Sequence, residues 1–211
     1  MTTLTEPLLL IISSPSGAGK TTLTYELLRT FPDFTFSVSH TTRRPRPAEV
    51  DGRDYYFVER ARFEEMVREH AFAEWAEVHG NLYGTSLAEI DRARHEGKTG
   101  IVFDVDYQGA RQLKASRAKA VGVFILPPTM PELERRLRGR ASETEDAITR
   151  RFNRAHDEIE HYGFFDYLIV NDNLEMAKAR LVSVVYAEQS RRWRMAQNAE
   201  SLLRYGRLGG D

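Results

Sequence analysis

Ser14-Pro15-Ser16-Gly17-Ala18-Gly19-Lys20-Thr21 is the stretch from which the fold can be read. It follows directly on the apolar run Leu8 to Ile12 and opens a segment in which Leu23, Leu27 and Leu28 recur at helical spacing. A buried strand, a glycine-rich turn and a helix, in that order, make a phosphate-binding loop, here with Ser14 in place of the leading glycine. Glycines let backbone N–H groups converge on phosphate oxygens, and the helix N-terminus adds a favourable dipole. Lys20 is placed to reach the β- and γ-phosphates, and the Thr21 hydroxyl to ligate Mg²⁺. Ser13, Ser14, Pro15, Ser16, Gly17, Ala18, Gly19, Lys20, Thr21 and Thr22 are therefore the expected seat of a nucleoside triphosphate.

Outward from this loop, three more short apolar runs appear at Ile101 to Val105, Val121 to Leu126 and Tyr167 to Val170. Each is almost continuously apolar, as strands buried on both faces of a parallel sheet are. A fifth run, Phe34 to Ser39, alternates Phe34, Phe36 and Val38 with small polar residues. After the last run, Leu174, Ala177, Leu181, Val184 and Val185 keep a 3.6-residue period. Strand and helix in alternation predict an α/β fold with a doubly wound core and a mainly parallel sheet. Asp104 and Asp106 close the Ile101 run. Beside a phosphate loop, carboxylates at a strand end suit Mg²⁺ binding, Asp104 through water; the plain alternative is a turn or a helix cap.

Composition narrows the classes. The chain has 211 residues, 41% hydrophobic and 29% charged, which suits one compact domain with inserted segments. The 30 Lys+Arg against 31 Asp+Glu lack the basic excess of a nucleic-acid binder. No cysteine is present, which removes disulfides, thiolate metal sites and a cysteine nucleophile. No apolar run approaches the length of a membrane helix, and Met1 to Leu10 has Glu6 and no basic start, unlike a secretory signal. A cytoplasmic protein is expected. The six histidines are scattered without metal-ligand spacing.

Two segments leave the core pattern. Ser39 to about Ala88 is polar and rich in Tyr, Trp and Arg, with strand-like pieces around Tyr55 to Val58 and Phe72 to Val78. Pro131 to His161 is charged and helical, and its arginines read by themselves as a solvated face. In the first segment, Arg43 and Arg46 stand three apart in a proline-stiffened loop, a clamp for a second phosphate. Around them run Ser39-His40-Thr41-Thr42-Arg43-Arg44-Pro45-Arg46, Glu74-Trp75-Ala76 and Gly80-Asn81-Leu82-Tyr83-Gly84-Thr85. With Asp104-Val105-Asp106-Tyr107-Gln108-Gly109, Arg136 to Arg140 and Ile169-Val170-Asn171-Asp172, these resemble guanylate kinase, of the nucleoside monophosphate kinase group among P-loop NTPases. The resemblance runs from about Leu8 to Glu188 in order and spacing.

That resemblance implies transfer of the γ-phosphoryl group of MgATP to GMP or dGMP, in purine nucleotide metabolism and GMP recycling. It puts guanine recognition on Ser39, Glu74 and Thr85, and the GMP 5′-phosphate on Arg43, Arg46, Tyr55 and Tyr83, with Asp106 near GMP. Arg136, Arg140 and Arg151 match lid arginines that act with Lys20 on the ATP phosphates, and Asn171 matches the loop at the adenine end. It also implies a single domain over 1–211, with core 1–38, 86–130 and 162–211, a GMP-binding subdomain 39–85 and a lid 131–161. The chemistry agrees: guanine presents N1–H and N2–H side by side, which one carboxylate can accept, while a hydroxyl can donate to O6. Departures are Ser14, Ala48 and Ala141, each standing where glycine is usual. The rivals are a kinase of the same scaffold acting on a sugar phosphate or another nucleotide, and a guanylate-kinase-like protein-binding module without catalysis. Glu74 and Ser39 weigh against the first, the intact Lys20 and Thr21 against the second.

Overall fold

The computed structural model describes residues 6–78, 80–139 and 145–208. Its main sheet has five strands in the order β2-β7-β1-β8-β9, every neighbouring pair parallel. These are β1 (Leu8–Ser13), β2 (Phe34–Phe36), β7 (Gly100–Asp104), β8 (Val121–Leu126) and β9 (Tyr167–Val170). β1 is central, and its neighbours show why its sequence is apolar throughout. Leu8, Leu10 and Ile12 pack with Leu23 and Leu27 of α1 (Lys20–Thr30) and with Leu181 and Val185 of α7 (Leu174–Gln189). Ile11 turns to the opposite face, with Ile101 and Phe103, against α3 (Leu87–His95) and α4 (Tyr107–Ser116). Full burial of each such side chain is worth about 1.5–3 kcal/mol. Chain order reverses beside β1, so the crevice beyond its carboxyl end is where open α/β sheets bind ligands.

The polar excursion builds a second sheet of order β4-β3-β6-β5, from β3 (His40–Thr41), β4 (Tyr56–Phe57), β5 (Phe72–Val78) and β6 (Asn81–Ser86). Phe63 of α2 (Arg60–Arg68) is fully buried and stacks on Phe72, centroids 4.4 Å apart. The predicted strand over Phe34 to Ser39 is shorter than its alternation suggests. The Val38 amide donates to the buried Glu89 carboxylate at 2.9 Å instead of to a sheet partner, and the chain turns away into β3. Beyond β8, Thr129 caps α5 (Met130–Arg138), its hydroxyl accepting the Glu132 amide at 3.2 Å. α5 and α6 (Glu145–Glu160) share a small core of Leu133, Leu137, Ile148 and Ala155. α8 (Arg192–Tyr205) follows α7 and buries no residue. No helix among the described residues is long and apolar enough to cross a membrane.

Candidate functional site

The loop between β1 and α1 takes its shape from two glycines in the left-handed region, Gly17 at φ +94° and Gly19 at φ +100°. Gly19 is doubly constrained, because a Cβ there would lie 2.3 Å from the Asn171 side-chain nitrogen. The Asn171 amide donates to the Ala18 carbonyl at 2.7 Å, and Arg136 donates to the Asn171 carbonyl at 3.0 Å. The loop is thus braced from behind by residues 118 and 153 positions along the chain. No side chain caps the N-terminus of α1. Uncapped amides of this kind favour an anion. Lys20 is in contact with Asp104, both about four-fifths covered.

Across from the loop, α6 supplies the other wall of a 380 Å³ cleft. Ser16, Lys20 and Thr21 line it on one side, Arg151, Arg154 and Glu158 on the other, with Asp106 between. Of the three expected lid arginines, Arg151 faces this cleft. Arg136 does not line it; Glu132 holds its guanidinium at 2.7 Å and it braces the loop. Arg140, with Ala141, lies outside the described residues. Arg154 and Glu158 were not singled out by sequence, although Arg151, Arg154 and Glu158 are spaced i, i+3, i+7 on one helical face.

A second cavity of 180 Å³ shares Lys20 and Asp106 with the first. Ser39, Tyr55, Glu74 and Tyr83 line it. Glu74 reaches it through an irregularity in β5, where the pairing with β6 shifts between Phe72 and Glu74 and lets the adjacent Ala73 and Glu74 both turn inward. Glu74 is 5% exposed. Burial, aided by the Asp106 charge and opposed by hydrogen bonds from Thr85, pushes its carboxyl up to about 7. The Ser39 and Thr85 hydroxyls lie 3.2 Å apart. Gly109 comes so close that a Cβ would sit 2.5 Å from a Glu74 oxygen. Gln112 holds the same strand edge, accepting the Trp75 amide at 3.2 Å and donating to the Trp75 carbonyl at 2.7 Å.

The two strand-end carboxylates divide the alternatives read from sequence. Asp106 caps α4, one oxygen accepting the Gln108 and Gly109 amides at 3.0 Å, and it also lines both cavities. Asp104 pairs with Lys20. Beside the second cavity, the Arg43 guanidinium lies 5.4 Å from the Tyr55 ring, which meets Tyr83 edge-on at 6.0 Å. Arg43 donates to Glu49 at 2.8 Å, and the backbone amide of Arg46 donates to the other Glu49 oxygen at 2.7 Å. Glu49 is a further residue that sequence reading left without a role.

The guanylate kinase family model matches residues 6–188. A guanylate kinase of Geobacter metallireducens is 50% identical over 192 residues, spanning 91% of this chain and 94% of its own. One from Myxococcus xanthus is 48% identical over 195 residues, 92% of this chain and 93% of its own. The crystal structure of guanylate kinase from Anaplasma phagocytophilum superposes with a TM-score of 0.75 at 30% identity, covering 95% of this chain and 96% of that one.

Proposed function

The chain belongs to the guanylate kinase family, and on that premise we propose how its residues divide the work. The reaction is ATP-dependent phosphorylation of GMP: a GMP phosphate oxygen attacks the γ-phosphorus, its bond to the bridging oxygen breaks, and ADP and GDP result. The observation that supports the division is that two cavities, one at the phosphate loop and one at Glu74, share Lys20 and Asp106. Donor and acceptor phosphates brought to that junction stand next to each other, which is the alignment phosphoryl transfer needs.

In this reading Ser13 to Thr22 hold the ATP phosphates and Asn171 fixes the loop that does so. Lys20, Arg136, Arg140 and Arg151 are the cationic set; Lys20 and Arg151 face the cleft, and Arg136 acts by holding the loop backbone. The attacking oxygen is already anionic, so no protein base is required, and charge stabilisation does most of the work. Glu74 accepts from guanine N1–H and N2–H, with Ser39 and Thr85 beside it. Arg43, Arg46, Tyr55 and Tyr83 grip the 5′-phosphate once it displaces Glu49 from Arg43. Since these groups address base and phosphate only, dGMP is accepted as well. Segment 39–85 serves as the GMP-binding arm, 131–161 as the lid, and the remainder as core.

Mg²⁺ fits the residues present. Among the described residues no cluster of three or more His, Cys, Asp or Glu could hold a metal alone. Thr21 and Asp104 offer hard oxygens beside Lys20, which suits an ion that keeps waters and arrives on the triphosphate. Bound there, Mg²⁺ would neutralise phosphate charge. The near-even charge of the chain supports nucleotides rather than nucleic acid as partners, and membership of the family supports a cytoplasmic enzyme of purine nucleotide recycling. A coupled ADP-release assay across GMP, dGMP, AMP, CMP and UMP tests the assignment. Turnover of GMP and dGMP is expected to exceed that of the others by at least about a hundredfold, given a buried base-reading carboxylate; equal rates with AMP would overturn it.

A further inference from the structure

We propose that Glu158 is a carboxylate latch on the phosphate loop, and that Arg154, which it holds, is a further phosphate-binding residue of the ATP site. The proposal rests on the reading of the Lys20 loop as that site. Arg154 and Glu158 share with Arg151 the face of α6 that lines the cleft opposite Ser16 and Lys20. One Glu158 oxygen accepts the Ser16 backbone amide at 3.4 Å, and the other forms an ion pair with Arg154, 3.2 Å from its Nε. A loop amide and a guanidinium are the partners a phosphate takes. The Glu158 carboxylate, its side chain only 14% exposed, stands where an ATP phosphate oxygen would accept.

The latch is weak by construction. Burial raises the Glu158 carboxyl above its ordinary range and the Asp106 charge adds to this, while Arg154, the Ser16 amide and Lys20 oppose it. An arriving triphosphate brings several negative charges to the same amide. The Ser16 N–H cannot serve both oxyanions at full strength, and like charges in a partly desolvated cleft repel. Glu158 therefore withdraws, and the Arg154 guanidinium exchanges its carboxylate for phosphate. Filling the loop and passing Arg154 from carboxylate to phosphate become one event. The two residues then affect ATP in opposite directions although they form one ion pair.

Calorimetric titration of MgATP without GMP, followed by steady-state kinetics, tests this on the full chain. Glu158→Gln removes the competing charge and is expected to tighten MgATP about fivefold. Arg154→Met removes a phosphate ligand and is expected to weaken MgATP about tenfold and lower kcat about tenfold, with Arg154→Lys recovering part of both. Arg154→Lys carries the same test should Arg154→Met fail to fold. If Glu158→Gln leaves MgATP affinity unchanged or weakens it, or if Arg154→Met binds and turns over as wild type does, the latch is overturned. Lys20→Met separates this failure from a wrong ATP site. Loss of turnover in Lys20→Met, with Glu158 and Arg154 variants moving together, sinks the latch alone. Wild-type turnover in Lys20→Met sinks the site assignment beneath it.

Discussion

In the proposed role, Glu74 serves guanine only after it has lost a proton, and burial makes that loss harder. With its carboxyl at about 7, the group is largely protonated in mildly acidic solution. Guanine N1–H and N2–H are donors and select the carboxylate, so GMP affinity is expected to rise with pH and level off above about 7. The stability of the nucleotide-free protein runs the other way. A carboxyl raised above its unfolded value near 4.5 binds more protons folded than unfolded between the two values. Stability is therefore lost as pH climbs through that window. A Glu74→Gln change removes both trends and points an NH₂ group at a guanine donor. Losing a charge-assisted bond and leaving a buried donor unpaired costs roughly 3 kcal/mol, about a hundredfold in kcat/KM for GMP. AMP turnover should fall little or rise, since the amide can donate to adenine N1. Rates with both substrates across pH 5.5 to 8.5, an assay range of about three units chosen to bracket Glu74, check all of this. An equal drop for GMP and AMP would make Glu74 structural.

At the scale of elements, the cavity proposed for guanine is a joint between β5 and α4. The strand shift at Ala73 aims Glu74 inward, Gln112 pins the neighbouring Trp75 backbone, and Gly109 lets the helix approach. Gly109→Ala would put a methyl group 2.5 Å from the Glu74 carboxylate. The closest obstacle is the end of the Glu74 side chain, with the Val105 Cβ at 3.2 Å behind it, so the carboxylate moves, α4 gives by a few tenths of an ångström and the fold survives. KM for GMP is expected to rise about tenfold or more, matching a mispositioned charge-assisted pair, while KM for ATP stays within about twofold, since the loop at Lys20 is untouched. Equal changes in both constants would show that α4, not Glu74, had been displaced. The apolar strands of the main sheet were legible in sequence because burial on both faces leaves a local signature. The shift in β5 was not, because Ala73 and Glu74 read as an ordinary alternating pair until β6 is beside them.

For the whole molecule, the proposed division gives the arm and the lid each a different nucleotide at the edge of one sheet. Arg43 is held by Glu49 on the arm, and Arg154 by Glu158 on the lid. Each carboxylate neutralises a cation that a phosphate would otherwise engage, so each segment has its own reason to wait for its own ligand. Closure is accordingly expected to require both nucleotides, with water then excluded from the γ-phosphate. Small-angle scattering should give a smaller radius of gyration with a bisubstrate analogue than with ATP or GMP alone. Identical curves in all states would rule out movement of the two segments while leaving the chemistry as it is.

The amino-acid sequence by itself determined the central strand, the glycine-rich loop after it, the parallel core and the residue types proposed to read guanine. Each of these is a local pattern: a run of apolar side chains, glycines before a lysine, a short motif with its flanks. Tertiary structure alone decided that Arg136 braces the loop while Arg154 faces it, and that Asp104 pairs with Lys20 while Asp106 caps a helix. It also decided that Glu158 reaches the Ser16 amide from 142 residues away. Those outcomes depend on which face of a helix meets which loop after the sheet has assembled. A charged side chain carries the same letter whether it points at water, at a backbone carbonyl or into a cleft, and only packing between distant segments distinguishes the three.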